Sequence, residues 1–174
     1  MERKMYRGLY IHVPFCIRKC PYCDFYSVTQ TSLADDYTSA VVRNIKAQNI
    51  SADTVYFGGG TPSLLTAEQI STMLSAVSDI ALNAEITMEC NPNSVSEKYL
   101  SEISEAGVNR ISFGVQSLSD KELTALGRLH NSETAVKAIK SAYKAGFRSI
   151  SADLMLATAY QTPETLSETL ERLC

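Results

Sequence analysis

The tightest constraint on this chain lies in Cys16-Ile17-Arg18-Lys19-Cys20-Pro21-Tyr22-Cys23, which gathers three of the five cysteines of the 174-residue sequence into one short stretch. It follows directly on an apolar run with strand character, Gly8 to Val13. Three thiols this close usually serve one metal centre, since a disulfide would use two of them and leave the third over. A closed tetrahedral zinc site would need a fourth ligand. His12 could supply it, but no second Cys/His pair follows downstream. An iron–sulfur cluster on three thiolates is the better match, because it leaves one iron open to a ligand that is not protein.

Around this stretch the chain alternates strand and helix. In Gly8 to Val13, Leu9, Ile11 and Val13 fall on one side and Tyr10 and His12 on the other. Leu33, Tyr37, Val41 and Ile45 recur every fourth residue and predict a first helix with an apolar stripe. Thr54 to Phe57 predicts a second strand, closed by Gly58-Gly59-Gly60, and Thr66-Ala67-Glu68-Gln69 reads as a capping box opening a helix with Ile70, Met73, Leu74 and Val77 inward. Glu85 to Cys90 is the third strand. Ser96 caps a helix carrying Leu100 and Ile103, which Gly107 ends. Arg110 to Val115 is the fourth strand, followed by a second capping-box pattern, Ser119 to Glu122, and a short helix with Leu123 and Leu126. A helix from about Ser132 to Ala145 turns Ala135, Ala138, Ile139 and Ala142 inward. Ser149 to Leu154 is the fifth strand, and Thr162-Pro163 starts a last helix lined by Leu166, Leu170 and Leu173. Five βα units in a row predict a parallel sheet covered by helices, because parallel neighbours need crossovers. The spacing fits a barrel and an open doubly wound sheet equally.

Composition narrows the function classes. With 45% hydrophobic and 20% charged residues the chain has the make-up of an ordinary globular domain. A net charge of −3 argues against a broad nucleic-acid surface, which needs clustered Lys and Arg. No apolar run reaches the roughly 18 residues of a transmembrane segment. The opening Met1 to Met5 is basic without an apolar core, so it does not read as a signal peptide. Unpaired thiols suit a reducing, cytoplasmic setting.

The C-x3-C-x2-C spacing after a strand resembles the radical S-adenosylmethionine (SAM) superfamily. Tyr10-Ile11-His12-Val13-Pro14-Phe15 before it resembles the oxygen-independent coproporphyrinogen III dehydrogenases and their relatives, the HemW-like haem chaperones. In the dehydrogenases the third cysteine is followed, after one residue, by another cysteine; in the HemW-like branch that place holds phenylalanine. Cys23-Asp24-Phe25 follows the second pattern. The resemblance runs from about Arg7 to Cys174. It implies a partial (β/α)6 TIM-like barrel of the radical SAM type, truncated after about five βα units. Residues 1–174 would then be an incomplete core domain, without its sixth βα unit and C-terminal domain.

Candidate site residues gather where strands end, as ligands do in parallel α/β folds. The backbone of Gly58-Gly59-Gly60 can approach a ligand and offer N–H groups to an anion, although a tight strand–helix turn explains the run as well. Glu89 could bind ribose hydroxyls or a cationic group, or be a solvated end-of-strand acid. His12 points with Tyr10 and either hydrogen-bonds a ligand or fills the barrel mouth. His130 reads as a loop histidine and Cys90 as a small buried hydrophobe. Cys174, at the end of the sequence, gives no signal. The resemblance implies that Cys16, Cys20 and Cys23 hold a [4Fe–4S] cluster whose fourth iron chelates SAM. Reduction of the cluster would cleave SAM to methionine and a 5′-deoxyadenosyl radical. It also implies that Tyr10, Tyr22, Gly60, Thr61, Pro62, Glu89, Gln116, Arg128 and Asp153 occupy SAM-contacting positions, some of which serve a second SAM in the dehydrogenases. One stretch departs from the family: relatives read Asp-Leu-Met-(Tyr/Phe)-Gly-Leu-Pro-x-Gln-Thr after the fifth strand, whereas this chain has Asp153-Leu154-Met155-Leu156-Ala157-Thr158-Ala159-Tyr160-Gln161-Thr162.

Two functions from different classes follow from the resemblance. The first is a HemW-like haem chaperone, binding cluster and SAM and delivering haem to an acceptor protein, without porphyrinogen-oxidising activity. The second is an oxygen-independent coproporphyrinogen III dehydrogenase, acting by oxidative decarboxylation. Both imply a haem or porphyrin ligand and an electron donor of flavodoxin-like type. A zinc-binding or thiol-redox domain is a third reading, and colour and air sensitivity separate it from the others.

Overall fold

The computed structural model describes residues 7–174; the basic opening from Met1 to Met5 lies outside the described residues. Five strands, β1 (Gly8–Val13), β2 (Ser51–Gly59), β3 (Asp79–Cys90), β4 (Arg110–Gln116) and β5 (Ser149–Leu154), form one parallel sheet in the order β1-β2-β3-β4-β5. Six helices connect and follow them: α1 (Ala34–Gln48), α2 (Ala67–Leu74), α3 (Glu97–Glu105), α4 (Asp120–Ala125), α5 (Ser132–Lys144) and α6 (Pro163–Leu173). The strand order decides what spacing could not. A doubly wound sheet reverses direction at a switch point, and here every strand lies beside its predecessor, as in a singly wound barrel.

The alternation of each strand divides the sheet into two unlike faces. Ile11, Val13, Val55, Phe57, Ile86, Met88, Ile111 and Phe113 are buried in one core with Ile45, Ile70, Met73, Leu100, Ile103, Ala135, Ala138 and Ala142 of the helices. The other face is polar. Tyr10 pairs with Tyr56, Tyr56 with Thr87 and Thr87 with Arg110; one row further on, Glu89 pairs with Ser112 and Ser112 with Ser151. Closed TIM barrels fill their interior with branched apolar layers. Here the face that a closed barrel would turn inward is polar, and its upper edge at Glu89 reaches the cleft described below.

Several helix signals operate as the sequence predicts. Thr66 and Gln69 form the capping box of α2, Ser96 accepts from the Tyr99 N–H, and the Thr162 side chain caps α6. Others are corrected. Ser119 makes no side-chain cap to α4, because its partner in the pattern, Glu122, is drawn inward. The Glu122 side chain is buried and accepts hydrogen bonds from Ser117, Thr158, Gln161 and Thr165. Leu33 precedes α1 in a 3-10 turn and is exposed. On α6 Leu170 is exposed and Thr169 is buried instead, its hydroxyl accepting from the Leu118 N–H. Strands β2 and β3 also begin earlier than predicted. Ser51 and Ala52 pair with Asp79 and Ile80 across a register shift, where polar residues hide the strand pattern. No helix among the described residues is long and apolar enough to cross a membrane.

His130 lies in a loop, as the sequence predicts, but it is not solvent-facing. It is buried at the end of β4, where its Nε2–H donates to the Val115 carbonyl at 3.0 Å. Burial and the neighbouring Arg128 charge push its pKa down to about 4. An unfolded histidine takes up a proton near 6.5. The unfolded state therefore binds the proton first as pH falls, and folding stability is lost between about pH 6.5 and 4. The urea midpoint of unfolding should drop over that interval by an amount worth on the order of 2–3 kcal/mol, and His130→Gln should flatten the drop. An equally steep pH profile in the variant would exclude His130 as its cause.

Candidate functional site

The cleft begins with a loop that folds back onto its own origin. The Cys16 N–H donates to the Val28 carbonyl and the Val28 N–H to that of Pro14, at 3.0 and 2.7 Å. These bonds close residues 16–27 into a lobe at the carboxyl end of β1. His12 helps to shut it: Nε2 donates to the Tyr26 carbonyl at 3.0 Å, which leaves Nδ1 as an acceptor facing the Tyr10 hydroxyl at 3.5 Å. His12 is thus a satisfied histidine at the mouth.

The glycine turn after β2 presses against this lobe. The Gly60 N–H donates to the Val13 carbonyl at 2.8 Å and the Thr61 N–H to that of Phe15 at 2.7 Å. These bonds carry the β1–β2 pairing past the end of the strands and onto the cysteine loop. A Cβ at Gly60 would stand 2.6 Å from Phe15 O and 2.9 Å from Val13 O, both backbone atoms that cannot rotate away. A side chain is excluded there by contact distance alone.

Opposite the turn stands Glu89, half-buried, with Oε1 accepting from the Tyr56 hydroxyl at 2.9 Å and Oε2 from the Gly59 N–H at 3.1 Å. Burial raises its pKa, and these two donors offset part of the rise. Tyr56 in turn is shifted up by burial and by the carboxylate it serves. Glu89 is therefore a positioned carboxylate, not a solvated strand end. Asp153 on β5 is held by a hydrogen-bonded chain: Arg110 Nη2 donates to Ser151 Oγ, Ser151 to Ser112 Oγ, and Ser112 to Asp153 Oδ1, each at 3.0 Å. Because the guanidinium can only donate, the direction of every hydroxyl in the chain is fixed.

Cys16, Cys20 and Cys23 line one cleft with Tyr22, Gly60, Thr61, Pro62, Glu89, Gln116, Arg128 and Asp153. Of the residues predicted for the site only Tyr10 falls outside it, lower on the polar face, where its ring stacks on Tyr56 with centroids 5.9 Å apart. The sequence reading missed Tyr56, Ser112 and Ser151, which orient the two carboxylates. Their signal was present: each alternates with core residues on a strand and so falls on the polar face that carries Glu89 and Asp153. Cys90 is buried beside the cleft, and burial holds its thiol well above the ordinary range.

Three thiols from one loop give the cleft the soft donor set that iron–sulfur clusters use. All five cysteines are free thiols. No group of three His, Cys, Asp or Glu side chains among the described residues converges on one point. Two polar atoms of cleft-lining residues, Asn91 Oδ1 and Arg128 Nε, are buried without a protein partner, which fits a wall built to meet a polar ligand.

Comparison with known proteins agrees. The profile of the Radical SAM superfamily matches residues 10–173. Similar relatives are the "Heme chaperone HemW" of Escherichia coli, 43% identical over 85% of this chain and 42% of its own length, and that of Haemophilus influenzae, 38% identical over 95% of this chain and 47% of its own length. A solved structure of coproporphyrinogen III oxidase (HemN) from Escherichia coli superimposes with a TM-score of 0.87 at 29% identity, over 97% of this chain and 42% of that one. The chain belongs to the radical SAM superfamily, and its five-stranded sheet is a partial TIM-like barrel of that type. Membership implies a [4Fe–4S] cluster and SAM. The chain spans less than half the length of the curated relatives it matches.

The loop that departs from the family keeps an unusual backbone without its glycine. Ala157, where relatives carry glycine, has φ 58°, and Tyr160 has φ 68°. Gln161 holds the turn, accepting from the Ala157 N–H at 2.7 Å and donating to the Met155 carbonyl at 3.0 Å. Left-handed backbone costs a non-glycine residue about 1–2 kcal/mol. Ala157→Gly should therefore raise stability by roughly 0.5–1 kcal/mol after the entropy of a freer unfolded chain is subtracted, read as a higher urea midpoint. Gly60→Ala should lower it by about 1–3 kcal/mol through overpacking. An unchanged midpoint for Gly60→Ala would mean that the turn and the cysteine loop do not touch as described.

Proposed function

We propose that this chain is the cluster- and SAM-binding part of a HemW-like haem chaperone, a cytoplasmic protein that receives haem and delivers it to an acceptor protein. The observation that carries the chaperone reading is Phe25. Its ring lines the cleft beside the cysteines and is exposed, at the place where the porphyrinogen-oxidising relatives carry a cysteine. An exposed aromatic ring there offers a flat apolar surface to a bound ligand, whereas a thiol would add a reactive sulfur. The HemW relatives at 43% and 38% identity support the same choice. Haem delivery is proposed for the whole protein, since the chain covers less than half of these relatives.

In this reading Cys16, Cys20 and Cys23 would hold the [4Fe–4S] cluster as thiolates, with SAM bound beside it in the cleft. When bound, the cluster and SAM supply one-electron cleavage chemistry; the protein contributes binding, orientation and a dry surround. Glu89, fixed by Tyr56 and Gly59, offers a carboxylate to cationic or hydroxyl groups of SAM. Asp153, oriented through Ser112, offers a second from the far side of the cleft. The backbone of Gly60, Thr61 and Pro62 gives a flat wall against which a ligand can lie, and Gln116, Arg128 and Tyr22 complete the rim. Tyr10 reaches a ligand only if that ligand extends below the cleft. The electron would come from a flavodoxin-like donor.

Two measurements test the proposal. Anaerobically reconstituted protein should carry iron and sulfide that are largely lost in Cys16→Ala, Cys20→Ala or Cys23→Ala and retained in Cys90→Ala and Cys174→Ala. Full retention in Cys20→Ala would rule out a shared cluster. The full-length protein should bind added haem and, given coproporphyrinogen III, SAM and a reductant without oxygen, form no protoporphyrinogen. Multiple-turnover decarboxylation would replace the chaperone reading with the dehydrogenase one, which the HemN superposition favours on backbone shape.

A further inference from the structure

We infer that Arg128 is an outer ligand of the iron–sulfur centre, whose guanidinium hydrogen-bonds the Cys20 sulfur and raises the centre's reduction potential. The inference rests on the cluster reading above and gives Arg128 a role that contact with SAM alone would not.

Arg128 Nη1 lies 3.7 Å from Cys20 Sγ and 3.3 Å from the Tyr22 hydroxyl, while Nη2 donates to the Gly114 carbonyl at 2.7 Å. The guanidinium is thus fixed at both ends, one on the cysteine loop and one at the end of β4. Its approach is built in from the other side as well. Arg128 follows Gly127, which has φ 69°, and a Cβ at Gly127 would stand 2.8 Å from Pro21 Cδ. Arg18 Nη2 donates to the Gly127 carbonyl. Two residues that flank Cys20 in sequence, Arg18 and Pro21, therefore grip the turn that returns Arg128 to the Cys20 sulfur. The contact spans more than a hundred residues of chain and is held at several points. A second donor, Thr61 Oγ1, lies 3.6 Å from Cys16 Sγ.

The consequence is electrostatic. Reduction adds one electron to a cluster and increases the negative charge on its sulfurs. A cationic N–H donor on a ligating sulfur stabilises the reduced state more than the oxidised one, and hydrogen bonds to sulfur are an established lever on cluster potential. Charge-assisted bonds are stronger than neutral ones, so Arg128 should act more strongly than Thr61.

The test is a redox titration of the cluster-loaded protein, followed by electron paramagnetic resonance with dithionite as one-electron reductant and without SAM. Leaving SAM out separates an effect on the cluster from a contact to the cofactor. Arg128→Gln should keep the iron and sulfide content and shift the midpoint to more negative potential. Thr61→Val should shift it the same way by less. Should Arg128→Gln fail to load, Arg128→Met, which keeps much of the stem and removes both the charge and the donor, carries the comparison by the same criterion. A loaded variant with the wild-type midpoint and only weakened SAM binding would overturn the inference and leave Arg128 a SAM contact. Wild-type protein that takes up no cluster would overturn the cluster reading itself, and this inference with it.

Discussion

The site depends on two backbone hydrogen bonds, from Gly60 N–H to Val13 and from Thr61 N–H to Phe15. They join the glycine turn to the cysteine loop without a side chain between them. Strand pairing ordinarily ends where the strands do, and whatever follows is free to move as loop. Here the ladder continues into the loop, so the segment that bears the thiols inherits the rigidity of the sheet. The geometry of Cys16 is thereby referred to a strand, which is a firmer support than a loop for a binding constellation.

Around that junction the polar face of the sheet works as a set of fixed pointers. Glu89 and Asp153 are the groups that face the cleft, but neither sets its own direction. Tyr56 and the Gly59 amide set the first, and Ser112, fed by Ser151 and Arg110, sets the second. Half-buried Glu89 would be destabilised on leaving water without such partners, whereas Asp153 stays exposed and gains mainly a fixed direction. Supplying them from neighbouring strands at matched register satisfies the charge and fixes its angle at once.

The five strands, their order along the chain and the main cap signals were legible because each rests on local rules: period-two alternation, a capping residue, a glycine after a helix. The three cysteines and most cleft residues were legible because they sit where strands end. Other features depend on partners far away in sequence and were not legible. The Ser119–Glu122 capping pattern fails because Glu122 finds better donors on α6 and the loop before it. Leu170 fits a helical stripe by spacing, yet Thr169 takes the buried place because it can satisfy the Leu118 amide. The burial of the loop residue His130 was hidden because nothing near it in sequence announces the Val115 carbonyl. Local pattern predicts elements well, and polar satisfaction across elements then decides which face of each one turns inward.

The consecutive strand order also bears on how the molecule is made. Each strand pairs with the one synthesised just before it, so the sheet can grow in step with translation and no strand waits for a distant partner. The cysteine lobe needs only β1, the bridge at Val28 and the turn after β2. It is complete once roughly the first third of the chain has left the ribosome, well before the turn at Gly127 is made. Its thiols therefore emerge into a formed lobe, and the remaining walls of the cleft are added in step with the later strands, from Glu89 through Arg128 to Asp153.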